Sequence, residues 1–218
     1  MIPTLNAAEK LPETLAGLAV ARVREIVVVD GGSTDDTAGI ASAAGARAII
    51  AEHGRGTQLA AGAAAATGGW LLFLHADCRL EPRWAVATAN FVAQPGAQGR
   101  AGYFDFALDD PTPAARRLER IVAWRCQTLA LPYGDQGLLI SRALYDAVGG
   151  FAPLPLMEDV DLVRRLGRGR MVRIGARCVA SARRYRRDGY LRRPVRNLFC
   201  LSLYFAGMAP ERIARLYG

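Results

Sequence analysis

The chain has 218 residues, enough for one large α/β domain with a substantial core and little left for a second. Its formal net charge of +8 draws anions, but Lys10 is the only lysine among 28 basic residues and alanine is abundant, so the charge reads as a composition bias and not as a nucleic-acid surface. Cys78, Cys126, Cys178 and Cys200 lack zinc or CxxC spacing, and no signal peptide or run of roughly 18 to 20 apolar residues is present, so reduced, mostly buried thiols in a cytoplasmic protein are expected.

Short apolar runs alternate with alanine-rich helical patterns, the rhythm of a largely parallel sheet with crossover helices. Strands are predicted at Ile2 to Leu5, Glu25 to Val29, Ala46 to Ala51, Trp70 to His75, Ala101 to Leu108 and Gly137 to Ser141. Helices are predicted near Ala8 to Ala19, Thr34 to Ala44, Gly56 to Thr67, Pro82 to Ala93 and Ala114 to Leu129. The opening strand is oddly short, which points to a start upstream of Met1 or to a weakened first strand. After Ser141 come a helix near Ala143 to Val148, a proline-punctuated loop from Phe151 to Leu156, and a helix from Met157 to Arg168. Arg170 to Arg184 reads as one or two further strands. Residues 188–218 form a separate basic segment: Arg192, Arg193 and Arg196 precede the apolar run Leu198 to Met208, and a short helix follows from Pro210 to Tyr217. Such a segment either lies in a membrane interface or packs on the domain of residues 1–187.

Three strings carry candidate chemistry. Val27 to Thr37, VVVDGGSTDDT, sets Asp30 at a strand's C-terminal end, with Gly31 and Gly32 in the turn and Ser33 or Thr34 capping the next helix. Neither a dinucleotide GxGxxG nor a Walker loop is present. Trp70 to Pro82, WLLFLHADCRLEP, delivers His75 and Asp77, which share a face if the strand continues, and then Glu81; such groups bind a hard or borderline cation, or serve as a satisfied His beside a capping Asp. Leu156 to Leu166, LMEDVDLVRRL, crowds Glu158, Asp159 and Asp161 at a helix start, where ordinary N-terminal acids and a general base are both consistent with the pattern.

In this order the strings resemble those of family 2 glycosyltransferases of the GT-A fold, an α/β fold with a central, mostly parallel sheet flanked by helices, and the resemblance runs to about Arg184. IPTLNAAEKLPETL looks like that family's nucleotide-binding first loop, LHAD like a variant of its DxD motif, and GDQGLLISRALYDAVGGF with PLMEDVDLVRRL like its acceptor-side loop and ED motif. LHAD and the ending PERIARLYG also resemble the radical-SAM/selenodomain-associated "transferase 2" subgroup, linked to arsenosugar biosynthesis. The resemblance implies an inverting sugar transfer from a nucleoside-diphosphate donor to an acceptor hydroxyl, small or lipid-linked, with no nucleic-acid partner. Pro3, Thr4, Asn6, Asp30, Gly31, Ser33, Arg55 and His75 would surround the nucleotide, and Asp77 would bind Mn²⁺ or Mg²⁺. Asp159 would be the base with Glu158 beside it, and Gly134, Asp135 and Gln136 would border sugar and acceptor. His75 stands where the family has the first Asp of DxD, and Ala7 where it often has Glu. Two rival readings are a catalytically impaired, membrane-surface binding protein and a sugar-nucleotide nucleotidyltransferase; the glycine-rich loop with Arg and Lys expected of the latter is missing.

Overall fold

The structure, a computed structural model, describes residues 1–21 and 23–217, so Arg22 and the final Gly218 of the C-terminal segment lie outside the described residues. The VVVD run forms β2 (Val27–Asp30), buried on both faces as a central parallel strand must be, between β1 (Ile2–Thr4) and the edge strand β3 (Arg47–Ile50). A second group of strands has the order β4 (Trp70–Phe73), β7 (Leu138–Ser141), β6 (Ala101–Leu108), β8 (Met171–Ala180) and β5 (Cys78–Leu80). β4 and β7 pair antiparallel, as do β6 with β7 and β5 with β8, whereas β6 and β8 are parallel. Met1 joins the groups: its amino group donates to Leu72 O at 2.6 Å, and Leu74 N donates to Met1 O at 3.1 Å. The sheet is therefore parallel in its N-terminal half, as the alternating rhythm predicts, and mixed in its C-terminal half.

Strand alternation divides the core between the two faces. Val28 packs with Leu11, Leu15 and Leu18 of α1 (Leu11–Ala19), with Trp84 of α4 (Trp84–Val92), and with Leu118 and Val122 of α5 (Pro113–Leu129). Val27 and Val29 pack with Leu59 and Ala63 of α3 (Arg55–Ala65), Leu144 and Tyr145 of α6 (Arg142–Ala147), and Leu162 and Leu166 of α7 (Glu158–Leu166). Helix starts follow local chemistry. Thr112 accepts from Ala115 N at 3.3 Å ahead of Pro113, and Ser141 accepts from Leu144 N at 3.1 Å. The C-terminal α9 (Arg192–Phe205) and α10 (Pro210–Tyr217) close a third cluster, in which Cys200 and Ile213 meet Leu156, Met157 and Val160. All four cysteines are buried free thiols. Among the described residues, no helix is long and apolar enough to cross a membrane.

Two local expectations are corrected and one is narrowed. The strand predicted to run to His75 ends at Phe73, because its ladder with β7 stops at the Phe73–Leu138 pair; the chain then turns at Ala76 and Asp77 and enters the unpredicted β5. Arg170 to Arg184 holds one strand and then the start of α8 (Arg183–Asp188). Neither Ser33 nor Thr34 caps α2 (Thr37–Ala43), whose flanking residue is Asp36, because both hydroxyls are bonded elsewhere: Ser33 to Asp30 and Thr34 to Asn6.

Candidate active site

At the C-terminal ends of β1 and β2, two loops lock onto one another. Asp30 is buried, and its carboxylate accepts from Gly32 N at 3.1 Å, Ser33 N at 2.8 Å, Thr4 Oγ1 at 3.1 Å and the Ser33 hydroxyl. Burial alone would raise the proton affinity of this carboxyl, but the bonds from Ser33, Thr4 and Gly32 outweigh it and hold the pKa below its usual value. Asn6 has φ 49°, in the left-handed region that Asn tolerates better than most side chains. It accepts from Thr34 N at 2.8 Å, and its own N–H donates to Ser33 Oγ at 2.8 Å. Gly31 N donates to Thr4 O at 2.9 Å, and buried Gln58 donates to both Thr4 O and Val29 O at 2.8 Å. Asp30, Gly31 and Ser33 thus form the seam behind the cleft wall, while Pro3, Thr4 and Asn6 face the cleft itself.

The turn between β4 and β5 brings His75 and Asp77 to the same opening, a cleft of about 420 Å³ that Arg55, Gln58, Ser181, Arg183 and Arg184 also line. Asp77 reaches this place because β5 pairs with the end of β8, where Ser181 N donates to Asp77 O at 3.0 Å. His75, Asp77, Arg55 and Arg184 also line an adjoining cavity of about 190 Å³, whose far wall holds Tyr133, Gly134, Asp135 and Asp159. The two cavities form one trough. Burial, and then the charge of Arg55, lower the His75 pKa to about 4, so its imidazole is neutral at pH 7 with a lone pair available.

Ligand atoms of His75, Asp77 and Cys78 lie within 4.8 Å of one another. A hydrogen bond with Cys178, together with burial, pushes the Cys78 thiol well above its usual pKa. The groups offered to a divalent cation are therefore a neutral imidazole and a carboxylate, a donor set that fits Mn²⁺ and, through its oxygen, Mg²⁺.

Across the trough, Asp159 lies in the first turn of α7, with Oδ2 accepting from Gly134 N at 2.7 Å. Gly134 must be glycine: a Cβ there would stand 2.4 Å from His75 Nε2 and 3.3 Å from Asp159 Oδ2. Glu158 is fully buried, and its carboxylate lies 3.1 Å from Arg55 Nε, a close charge contact whose alignment falls short of a hydrogen bond. Burial first, and then Asp159, raise the Glu158 pKa to about 7 against the opposing pull of Arg55. Burial likewise raises Asp135 to about 6. Of the predicted acceptor residues, Gly134 and Asp135 line the trough but Gln136 does not. Gln136 is buried beneath it, donating to Phe104 O at 3.1 Å and accepting from Tyr133 N at 3.3 Å.

The sequence profile described as Glycosyl transferase family 2 matches residues 1–154, more than half of the chain. The chain belongs to glycosyl transferase family 2. Among its curated relatives, a PGL/p-HBAD biosynthesis glycosyltransferase of Mycobacterium bovis is 44% identical over 86 residues, covering 35% of this chain and 34% of that protein. The same figures hold for a Mycobacterium tuberculosis protein of that name, so the match spans about a third of these relatives' length. Among solved structures, Mycobacterium tuberculosis glucosyl-3-phosphoglycerate synthase, in complex with Mn²⁺, uridine diphosphate and glucosyl-3-phosphoglycerate, has the same fold. That structure has a TM-score of 0.60 at 22% identity, over 81% of this chain and 68% of that one. A second complex of that synthase, with Mn²⁺, UDP-glucose and phosphoglyceric acid, has a TM-score of 0.58 at 23% identity over 80% and 68%.

Several lining residues of this family 2 chain escape sequence reasoning. Gln58 sits in an alanine-rich helix, with nothing local to mark its role. Arg183 and Arg184 read as the end of a strand, and only the pairing of β5 with β8 brings them beside Asp77. Arg193, Asn197 and Leu201 of α9 complete the far wall. Their spacing of four residues apart on one helix was the available signal.

Proposed function

We propose that this protein transfers a sugar from a nucleoside-diphosphate donor to an acceptor hydroxyl with inversion at the anomeric carbon. The observation that carries this reading is that Asp77, Asp159, His75 and Arg55, far apart in the sequence, line one cavity. In this reading Pro3, Thr4 and Asn6 hold the nucleoside. Asp30 fixes that wall through Thr4 and Ser33 and so shapes the nucleoside pocket from behind.

Asp77, with His75, would hold Mn²⁺ or Mg²⁺, which neutralises charge on the departing diphosphate when bound. Arg55 and Arg184 add fixed positive charge beside the same carboxylate. Asp159 takes the proton of the attacking hydroxyl on the far side; Gly134 N fixes its Oδ2 and so aims the carboxylate. Glu158 is a positioning residue, because its burial lets it act only through Arg55. We place the reaction in the cytoplasm, where four buried thiols remain reduced. The LHAD string and the PERIARLYG ending support membership of the "transferase 2" subgroup.

The test is a thermal-shift and calorimetric screen of nucleoside diphosphates and their sugars with Mn²⁺ or Mg²⁺, beginning with UDP and UDP-glucose, the molecules bound by the structural neighbours. One selectively bound, metal-dependent donor is expected, released as nucleoside diphosphate on transfer. Absence of any donor binding, or release of pyrophosphate, refutes the proposal.

A further inference from the structure

Helix α9 carries apolar side chains on its outer face as well as on its packed one. Its polar side chains Arg193 and Asn197 face the trough, and Arg193 is buried and paired with Asp188 at 3.1 Å. Cys200, Leu201, Leu203 and Tyr204 pack inward, but a second set of apolar side chains faces solvent: Leu191, just ahead of the helix, is 76% exposed, Val195 56%, Leu198 62%, Phe199 57% and Phe205 48%. Leu191, Val195, Leu198 and Phe199 are spaced three and four residues apart on one face, and Phe205 lies on the same face two turns after Leu198, beyond Ser202. A stripe of that length on a well-packed domain marks a binding surface, since isolated exposed apolar side chains do not line up in this way.

Charge decides what covers it. Arg192, beside the start of the stripe, and Arg212 and Arg215 on α10, which packs against α9, are exposed. The acids of this segment are Asp188, drawn into ion pairs with Arg187, Arg193 and Arg196, and Glu211. A second copy would set the same basic, apolar face against itself, in a chain whose formal net charge is already +8. An anionic lipid surface supplies both the apolar depth and the opposite charge.

We propose that the outer face of α9 seats this protein on an anionic membrane, with Leu191, Val195, Leu198, Phe199 and Phe205 in the acyl boundary and Arg192, Arg212 and Arg215 at the headgroups. Where the transfer reaction proposed above holds, the acceptor half of the trough then lies one helix diameter, about 10 Å, from lipid. That is the placement a membrane-borne acceptor hydroxyl needs.

The test is co-sedimentation of the full chain with vesicles of phosphatidylglycerol and phosphatidylcholine, against vesicles of phosphatidylcholine alone. Binding to the anionic vesicles is expected, weakened by high salt. Leu198→Glu with Phe199→Glu should lower the partition coefficient by about tenfold or more, without loss of thermal stability, since both side chains are exposed. Arg192→Glu with Arg212→Glu should lower it by a similar factor. Wild-type protein left in the supernatant with anionic vesicles overturns the proposal, as does a Leu198→Glu, Phe199→Glu variant that still pellets. Concentration-dependent self-association abolished by those substitutions, without vesicle binding, assigns the stripe to a second copy and also overturns it. Vesicle binding that persists in a protein binding no nucleotide supports the membrane contact while removing the transfer reaction.

Discussion

The two walls of the trough are built on opposite principles. On the side proposed to hold the nucleoside, the loops after β1 and β2 satisfy one another: Asp30 accepts four hydrogen bonds, Asn6 joins both loops, and Gln58 ties their carbonyls together. On the Asp159 side, burial presses on groups whose bonds are incomplete, with Glu158 raised to about 7 and Asp135 to about 6. A saturated wall fixes shape before a ligand arrives. A wall of incompletely paired charges keeps electrostatic free energy in reserve and marks the side where charge is expected to move.

Four substitutions probe this contrast, in descending order of effect. Asp159→Asn should lower transfer by about two to four powers of ten while leaving donor affinity unchanged; a product-release assay with calorimetry separates the two, and an active variant removes Asp159 as the base. Gly134→Ala should cost about a hundredfold in turnover, because the added methyl collides with His75 and disturbs Asp159; near-UV circular dichroism should confirm an intact core.

Glu158→Gln tests the reserve itself. A carboxyl raised from 4.5 to about 7 in the folded protein contributes stability that is present below its unfolded pKa and lost as pH rises through about 7. The Tm difference between acidic and mildly alkaline buffer should therefore shrink in the variant, and turnover should fall by about tenfold as Arg55 loses its anchor. A Tm that drops at alkaline pH would instead show that the ion pair with Arg55 is net stabilising.

Asn6→Ala should be the mildest of the four, costing about 1 kcal/mol through the lost loop bonds and the left-handed backbone, with a few-fold weaker donor binding. Chemical denaturation measures the first and calorimetry the second. An effect on turnover larger than that on donor affinity would erase the distinction between the two walls.

Much of this organisation is legible from local pattern. The unbroken VVVD run announces a central strand with an acid at its end, and the i, i+4, i+7 spacing of Leu11, Leu15 and Leu18 announces the buried face of α1. What escapes is whatever depends on partners remote in sequence. β5 is three residues long and exists through its pairing with β8, roughly a hundred positions on. Without that pairing His75 and Asp77 read as one strand face, and the arginines of α8 have no visible connection to either. The resemblance assigns Gln136 to the acceptor side together with Gly134 and Asp135, but its side chain is taken by Phe104 O and Tyr133 N, partners that the motif does not reveal.

The reach of the family match has a consequence for inheritance. Residues 1–154 carry the nucleoside loops and the His75–Asp77 turn, whereas Asp159, Arg184 and the α9 wall lie beyond them. A descendant could exchange the later stretch and meet a new acceptor without relearning how to hold its donor. Under the proposed transfer, homologues recognised by residues 1–154 alone should therefore agree on the nucleotide more often than on the molecule they glycosylate, and libraries aimed at altered acceptor choice belong on positions 193, 197 and 201.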